Sequence, residues 1–197
     1  MLAKREFPVG TENGMTKICG WENDIVFEYL VDKKGRCQGI YRSWWIPDGE
    51  LRAEYEMKDD IVVRVHQLTD KGRDVVLPDG EIDVWKACRV RVGNETRNVF
   101  VQLRVPADAR RVTPVDNRCH YTSRVSHGRV VSITDEAGEN YLEAESFVFR
   151  GPSLRYRLDH IVRAHDFDPN PQNSHGAGLN VHRYRDHCRM WFGVVRS

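Results

Sequence analysis

The chain has 197 residues, 40% hydrophobic and 10% aromatic with five Trp, which is ample for a packed core and argues against extended disorder. A formal net charge of +1 conceals a division: residues 1–86 carry 7 Lys, 6 Arg and 17 acids, net −4, whereas residues 87–197 carry 17 Arg, no Lys and 12 acids, net +5. Five widely spaced cysteines without a CxxC pair argue against a disulfide framework or a zinc ribbon, and no apolar run approaches the ~20 residues of a membrane span.

The opening residues, MLAKREFPVG, lack the apolar stretch of a secretory signal, so a soluble cytoplasmic protein is expected. From about residue 25, short β-type runs alternate with turn residues: IVFEYLV, DKKG, QGIYRSWWI, PDG, LRAEYEM, KDD and IVVRVHQL. This spacing predicts an antiparallel meander of hairpins. Pro47-Asp48-Gly49 and Pro78-Asp79-Gly80 fit turns, because Pro presets one φ angle and Gly accepts the positive φ that follows. Strand alternation places Tyr41 and Ser43 on one face and Arg42 and Trp44 on the other, with Trp45 back on the first. Tyr41, Trp44 and Trp45 are therefore candidates for partner binding, and a thin core would use the same rings.

Gly39-Ile40-Tyr41, Trp44-Trp45, Asp48-Gly49 and Leu51-Arg52 together resemble one MORN-type repeat over about 25 residues. The expected organisation is an acidic hairpin region over residues 1–84 and an arginine-rich, β-rich domain over residues 85–197. The second part opens with DVWKACRVRV and NVFVQLRVP, whose Val99, Val101, Leu103 and Val105 alternate clearly. A short C-terminal helix is predicted within Arg183 to Phe192, where Tyr184, Cys188, Trp191 and Phe192 recur at helical spacing. Residues 166–178, rich in Pro, Asn, Gly and His, read as an ordered loop. The fold class expected is α+β, predominantly antiparallel β.

Trp85-Lys86-Ala87, the run from Val105 to Arg111, Arg118-Cys119, Phe167-Asp168 and Gly178-Leu179 resemble an uncharacterised domain of phages and large DNA viruses. That domain follows pentapeptide or MORN-type repeats, and the resemblance covers about residues 84–195. It implies a viral or phage accessory protein. The pattern has a Cys three residues before the Gly and a His soon after it, where this chain has His175 and Asn180.

Arginine binds planar anions through two parallel hydrogen bonds and stays charged at any relevant pH. Lys86, Arg110, Arg111, Arg118, His120 and Tyr121 are thus candidate ligands for a phosphate-bearing molecule. Nucleic acid is not expected, because a net +5 over 111 residues is mild and its acids are interleaved. No metal or other cofactor is expected: His160, His165, His175, His182 and His187 are clustered but lack a His-x3-His pair. Cys119 and His120 are neighbours that a strand would point apart, and no nucleophile elbow, Walker loop or dinucleotide fingerprint occurs. The expected role is a noncatalytic binding protein for a host or viral protein or a small anion. The alternative is an enzyme or sequesterer of a nucleotide, since the order Lys-Ala, basic strand, Gly-Leu and short helix is similar to the mono-ADP-ribosyltransferase layout. Opposite charges on the two parts also suggest a homo-oligomer.

Overall fold

Asn13 and Gly14 both take positive φ, 50° and 75°, as a two-residue type I′ turn requires, and they join two strands paired through Glu12 and Met15. The same logic of turn and alternating strand repeats through the computed structural model, which describes residues 4–115, 121–147 and 153–192. The fold is predominantly antiparallel β with one short C-terminal helix. Two compact units are present: Met1–Val76 with Pro114–Asp116 and Asn170–Ser174, and Leu77–Thr113 with Asn117–Pro169 and His175–Ser197. Leu77 and Val84 belong to the core of the second unit.

The first unit is one seven-stranded sheet whose spatial order follows the chain: β1 (Arg5–Glu12), β2 (Met15–Glu22), β3 (Ile25–Val31), β4 (Cys37–Trp45), β5 (Leu51–Lys58), β6 (Ile61–Asp70) and β7 (Arg73–Asp74). Alternation gives its two faces different chemistry. On one face Phe27, Tyr29, Tyr41 and Tyr55 form a row of near-parallel rings, with centroids 5.8–6.2 Å apart. On the other, an ion-pair ladder crosses four strands: Lys17 to Glu28 at 2.7 Å, Glu28 to Arg42 at 3.6 Å and Arg42 to Glu54 at 2.6 Å. Next to that ladder, register aligns Trp21, Val26, Trp44 and Leu51. Gly20 lies directly opposite Phe27, and a side chain there would meet the Phe27 ring at 2.7 Å.

The second unit contains a six-stranded and a three-stranded sheet. The first is built on the long hairpin of β8 (Ile82–Val92) and β9 (Glu95–Val105), paired at every position from Ile82–Val105 to Val92–Glu95. The three-stranded sheet contains β10 (Arg111–Val112), β11 (Ser123–Val125) and, after the loop of residues 166–178, β16 (Leu179–Val181). Strands β12 (His127–Thr134), β13 (Glu143–Ser146), β14 (Arg155–Arg157) and β15 (Ile161–Arg163) complete the larger one in the order β14-β13-β8-β9-β12-β15. Val84, Cys88, Val99, Val101 and Leu103 point to one side and pack with Val130, Ile133, Ala144 and Tyr156 in the main core. On the reverse side Ala87 and Phe100 are covered by Cys188, Trp191 and Phe192, from a 3₁₀ turn (Arg185–Cys188) and α1 (Arg189–Phe192). The Arg185 guanidinium stacks 4.1 Å from the Phe100 ring centre.

Candidate functional site

The sequence of β8 places Trp85, Ala87, Arg89 and Arg91 on the same face, by alternation. The C-terminal helix covers that face over Trp85 and Ala87. Strand β13 pairs with β8 at two positions, Ser146 with Cys88 and Glu145 with Arg89, and then diverges. The divergence opens a cleft of about 500 Å³ whose walls include Arg89, Arg91, Asn94, Thr96, Glu145 and Arg155.

Its electrostatics follow from register. Arg89 faces Glu145, which faces Arg155 in turn, while Glu143 faces Arg157. The Arg155 Nε lies 3.6 Å from Glu145 and the Arg157 Nε 3.2 Å from Glu143, so each carboxylate has an arginine from β14. Among the described residues, Arg89 makes no hydrogen bond or ion pair, and Arg91 makes one weak bond, 3.4 Å from Nε to the Gly93 carbonyl. Among the described residues, two positive charges are left over in the lining of the cleft. A planar anion with several acceptor oxygens matches two adjacent guanidinium forks.

The residues expected from sequence to bind an anion are dispersed. Lys86 faces the core side of β8, its Nζ donating to the Asn180 carbonyl at 3.0 Å, and burial lowers its pKa. Arg111 is a staple for two turns: it donates to the carbonyls of Pro78, Gly80 (2.9 Å), Pro106 (2.8 Å) and Ala109 (3.4 Å). Those bonds engage four of the five N–H donors of a guanidinium, so Arg111, expected as a phosphate ligand, has one donor left for such a role in this arrangement. Arg110 lies 4.7 Å over the Phe167 ring. Tyr121 has φ +44°, its carbonyl 3.0 Å from His182 Nδ1 and its ring 4.7 Å from that of His187. Because β10 pairs with the Val125 end of β11, Arg110 and Arg111 sit at the end of that sheet opposite Tyr121. Arg118 and His120 lie outside the described residues.

The three aromatic candidates divide as well. Tyr41 is the centre of the ring row, Trp44 is half-buried on the other face, and Trp45 is 38% exposed with the Arg52 guanidinium 5.2 Å above it. Among the described residues no group of three or more His, Cys, Asp or Glu side chains is arranged to hold a metal ion. Nor is any helix among them long and apolar enough to cross a membrane. Arg89 and Arg91 are visible in the sequence as an alternating pair, but nothing local marks them as a site. Their relevance depends on β13 leaving β8.

A family model, described as a family of unknown function (DUF5758), matches residues 74–188. The chain belongs to this family. No curated protein and no solved structure matches it. The DUF5758 match runs from the last strand of the first unit to the end of the 3₁₀ turn, so it includes both sheets of the second unit and the whole arginine cleft.

Proposed function

We propose that the DUF5758 unit is a noncatalytic binding domain for a small anionic ligand carrying a phosphoryl group, held in the cleft between β8 and β13. The observation that supports this reading is the pair Arg89 and Arg91, adjacent on one strand face and without a carboxylate partner among the described residues, where the neighbouring glutamates are each matched to another arginine. Side chains two apart on a strand are about 6.5–7 Å apart at their bases, so their forks reach one phosphoryl group from two sides. Asn94 and Thr96 at the hairpin end add uncharged donors. In the same reading the protein is an accessory protein of a phage or large DNA virus, as the resemblance implies.

Calorimetric titration with pyrophosphate, ATP and NAD tests it. At least one should bind with an affinity that falls as salt rises, and bound ligand should raise the melting temperature; a hundredfold excess over Kd stabilises by about 2.7 kcal/mol. The double variant Arg89→Gln, Arg91→Gln should melt like the parent and bind at least tenfold more weakly. No binding by any of the three, or undiminished binding by the double variant, overturns the site. Consumption of bound ligand would instead place the protein among enzymes.

A further inference from the structure

The ring row of the first unit floors a second recess, and this one carries the opposite charge. Phe27, Tyr29 and Tyr41 line a groove of about 240 Å³ whose rim holds the carboxylates of Glu6, Glu22 and Asp60. At about 30 Å³ per water, that is the room of roughly eight waters, enough for an alkylammonium side chain. Lys4 already reaches in. Its Nζ lies 5.6 Å from the Phe27 ring centre and 2.7 Å from Glu6 Oε1, and the same oxygen accepts the Tyr29 hydroxyl at 3.0 Å. An ammonium over a ring face, anchored by a carboxylate that a tyrosine orients, is how aromatic sites hold organic cations.

The charges leave room for more than Lys4. Three carboxylates against one ammonium give the recess a formal −2. Asp60 is partly engaged by the Cys37 backbone N–H at 2.7 Å, and Lys4 is matched to Glu6. Glu22 makes no hydrogen bond or ion pair among the described residues; the raised pKa of the Tyr41 hydroxyl comes first from burial and then from Tyr55, with Glu22 the smallest contribution. Cys37, the thiol at the base, is held neutral by burial, its pKa pushed up to about 11.

We propose that this groove binds a lysine side chain of a partner protein, and that Lys4 is the internal occupant the partner's lysine displaces. The anionic rim selects a cation, the flat aromatic floor selects the apolar stem that precedes it, and Lys4 shows that a lysine arm fits. The site is independent of the arginine cleft, which lies in the other unit and selects the opposite charge.

The test is titration of the wild-type chain and of Lys4→Ala with the peptide acetyl-Gly-Lys-Gly-amide, followed by chemical shifts of the Tyr29 and Tyr41 rings. A tethered competitor acts at an effective concentration in the millimolar range, so its removal should tighten binding about tenfold. Substituting norleucine for the peptide's lysine should abolish binding, since it keeps the stem and loses the charge. Glu22→Gln, at an exposed position that the fold tolerates, should weaken it several-fold. The proposal is overturned if Lys4→Ala binds no peptide, if the norleucine peptide binds equally well, or if Glu22→Gln is without effect. Equal affinity for free n-butylamine would overturn the protein-partner assignment in favour of a small amine.

Discussion

Replacing Arg111 separates a structural arginine from a ligand-binding one. Its guanidinium closes the turns at Pro78–Gly80 and Pro106–Ala109 onto β10 through four backbone carbonyls, two of them, Gly80 and Pro106, at 2.8–2.9 Å. A net hydrogen bond contributes about 0.5–1.5 kcal/mol, and a carbonyl left unsatisfied costs about 1–3 kcal/mol. The group is only half-buried, and desolvation lowers its pKa and offsets part of the gain, so about 2–3 kcal/mol is expected for Arg111→Met, which keeps the apolar stem. Arg111→Lys keeps the charge without the fork and should lose roughly half as much. Urea unfolding is the assay. With a slope of about 1–3 kcal/mol per molar, the methionine variant should unfold roughly 1 M earlier, with unchanged slope. Pyrophosphate titration of the same variants should show unaltered affinity. A methionine variant as stable as the parent but weaker in binding pyrophosphate would refute the staple and return Arg111 to the anion site.

Three further outcomes follow from the same geometry. Asp32 accepts the backbone N–H groups of Arg36 and Lys34 and pairs with the Arg36 guanidinium, and these bonds, the Arg36 N–H foremost, hold its carboxyl down at about 2. Its folded pKa is below the unfolded value of about 3.9, so its stabilisation is full above pH ~4 and lost as pH falls from there toward ~2; Asp32→Asn should flatten that part of the acid-unfolding curve. Gly20→Ala should destabilise the first unit by about 1–3 kcal/mol in thermal unfolding, because the added carbon meets both the Arg5 carbonyl and the Phe27 ring, and an unchanged melting temperature would show that the strands yield. Burial pushes Cys37 up to about 11 and Cys88 up to about 12, and raises Cys188 as well. Alkylation at pH 8 mapped by mass spectrometry should label Cys19 well before those three, and equal labelling of Cys88 would place it in solvent.

The strands that alternate and end at Pro-Asp-Gly or Asp-Gly turns are readable without coordinates, since turn chemistry and side-chain period both act locally. Val99, Val101 and Leu103 lie on the core side of β9, as their alternation predicts. Strands β1 and β2 escape that reading because β1 is exposed throughout and contains Pro8, which an edge strand tolerates and a central one does not. The usable signal was Asn13-Gly14, a pair suited to a type I′ turn. Arg111 and Lys86 could not be told from ligand-binding cations in advance, because most of the carbonyls that engage them are distant in the chain, 31 and 33 positions for Gly80 and Pro78 and 94 for Asn180. The clefts are equally non-local: one exists because β13 parts from β8, the other because Lys4 and Glu6, at the start of the first hairpin, meet the rings of Phe27 and Tyr29 on β3.

The strand order of the six-stranded sheet carries a kinetic consequence. Its central hairpin, β8 and β9, is also its earliest segment in the chain, and later strands attach outward on both edges, β12 then β15 on one and β13 then β14 on the other. A sheet nested this way can be nucleated by the contacts that cost the least loop entropy and widened by each strand that follows. During synthesis, residues 82–105 would pair before any strand of the two edges has emerged. Nested growth of this kind gives each incoming strand a template of fixed register and leaves the arginine cleft to form with one of the last additions.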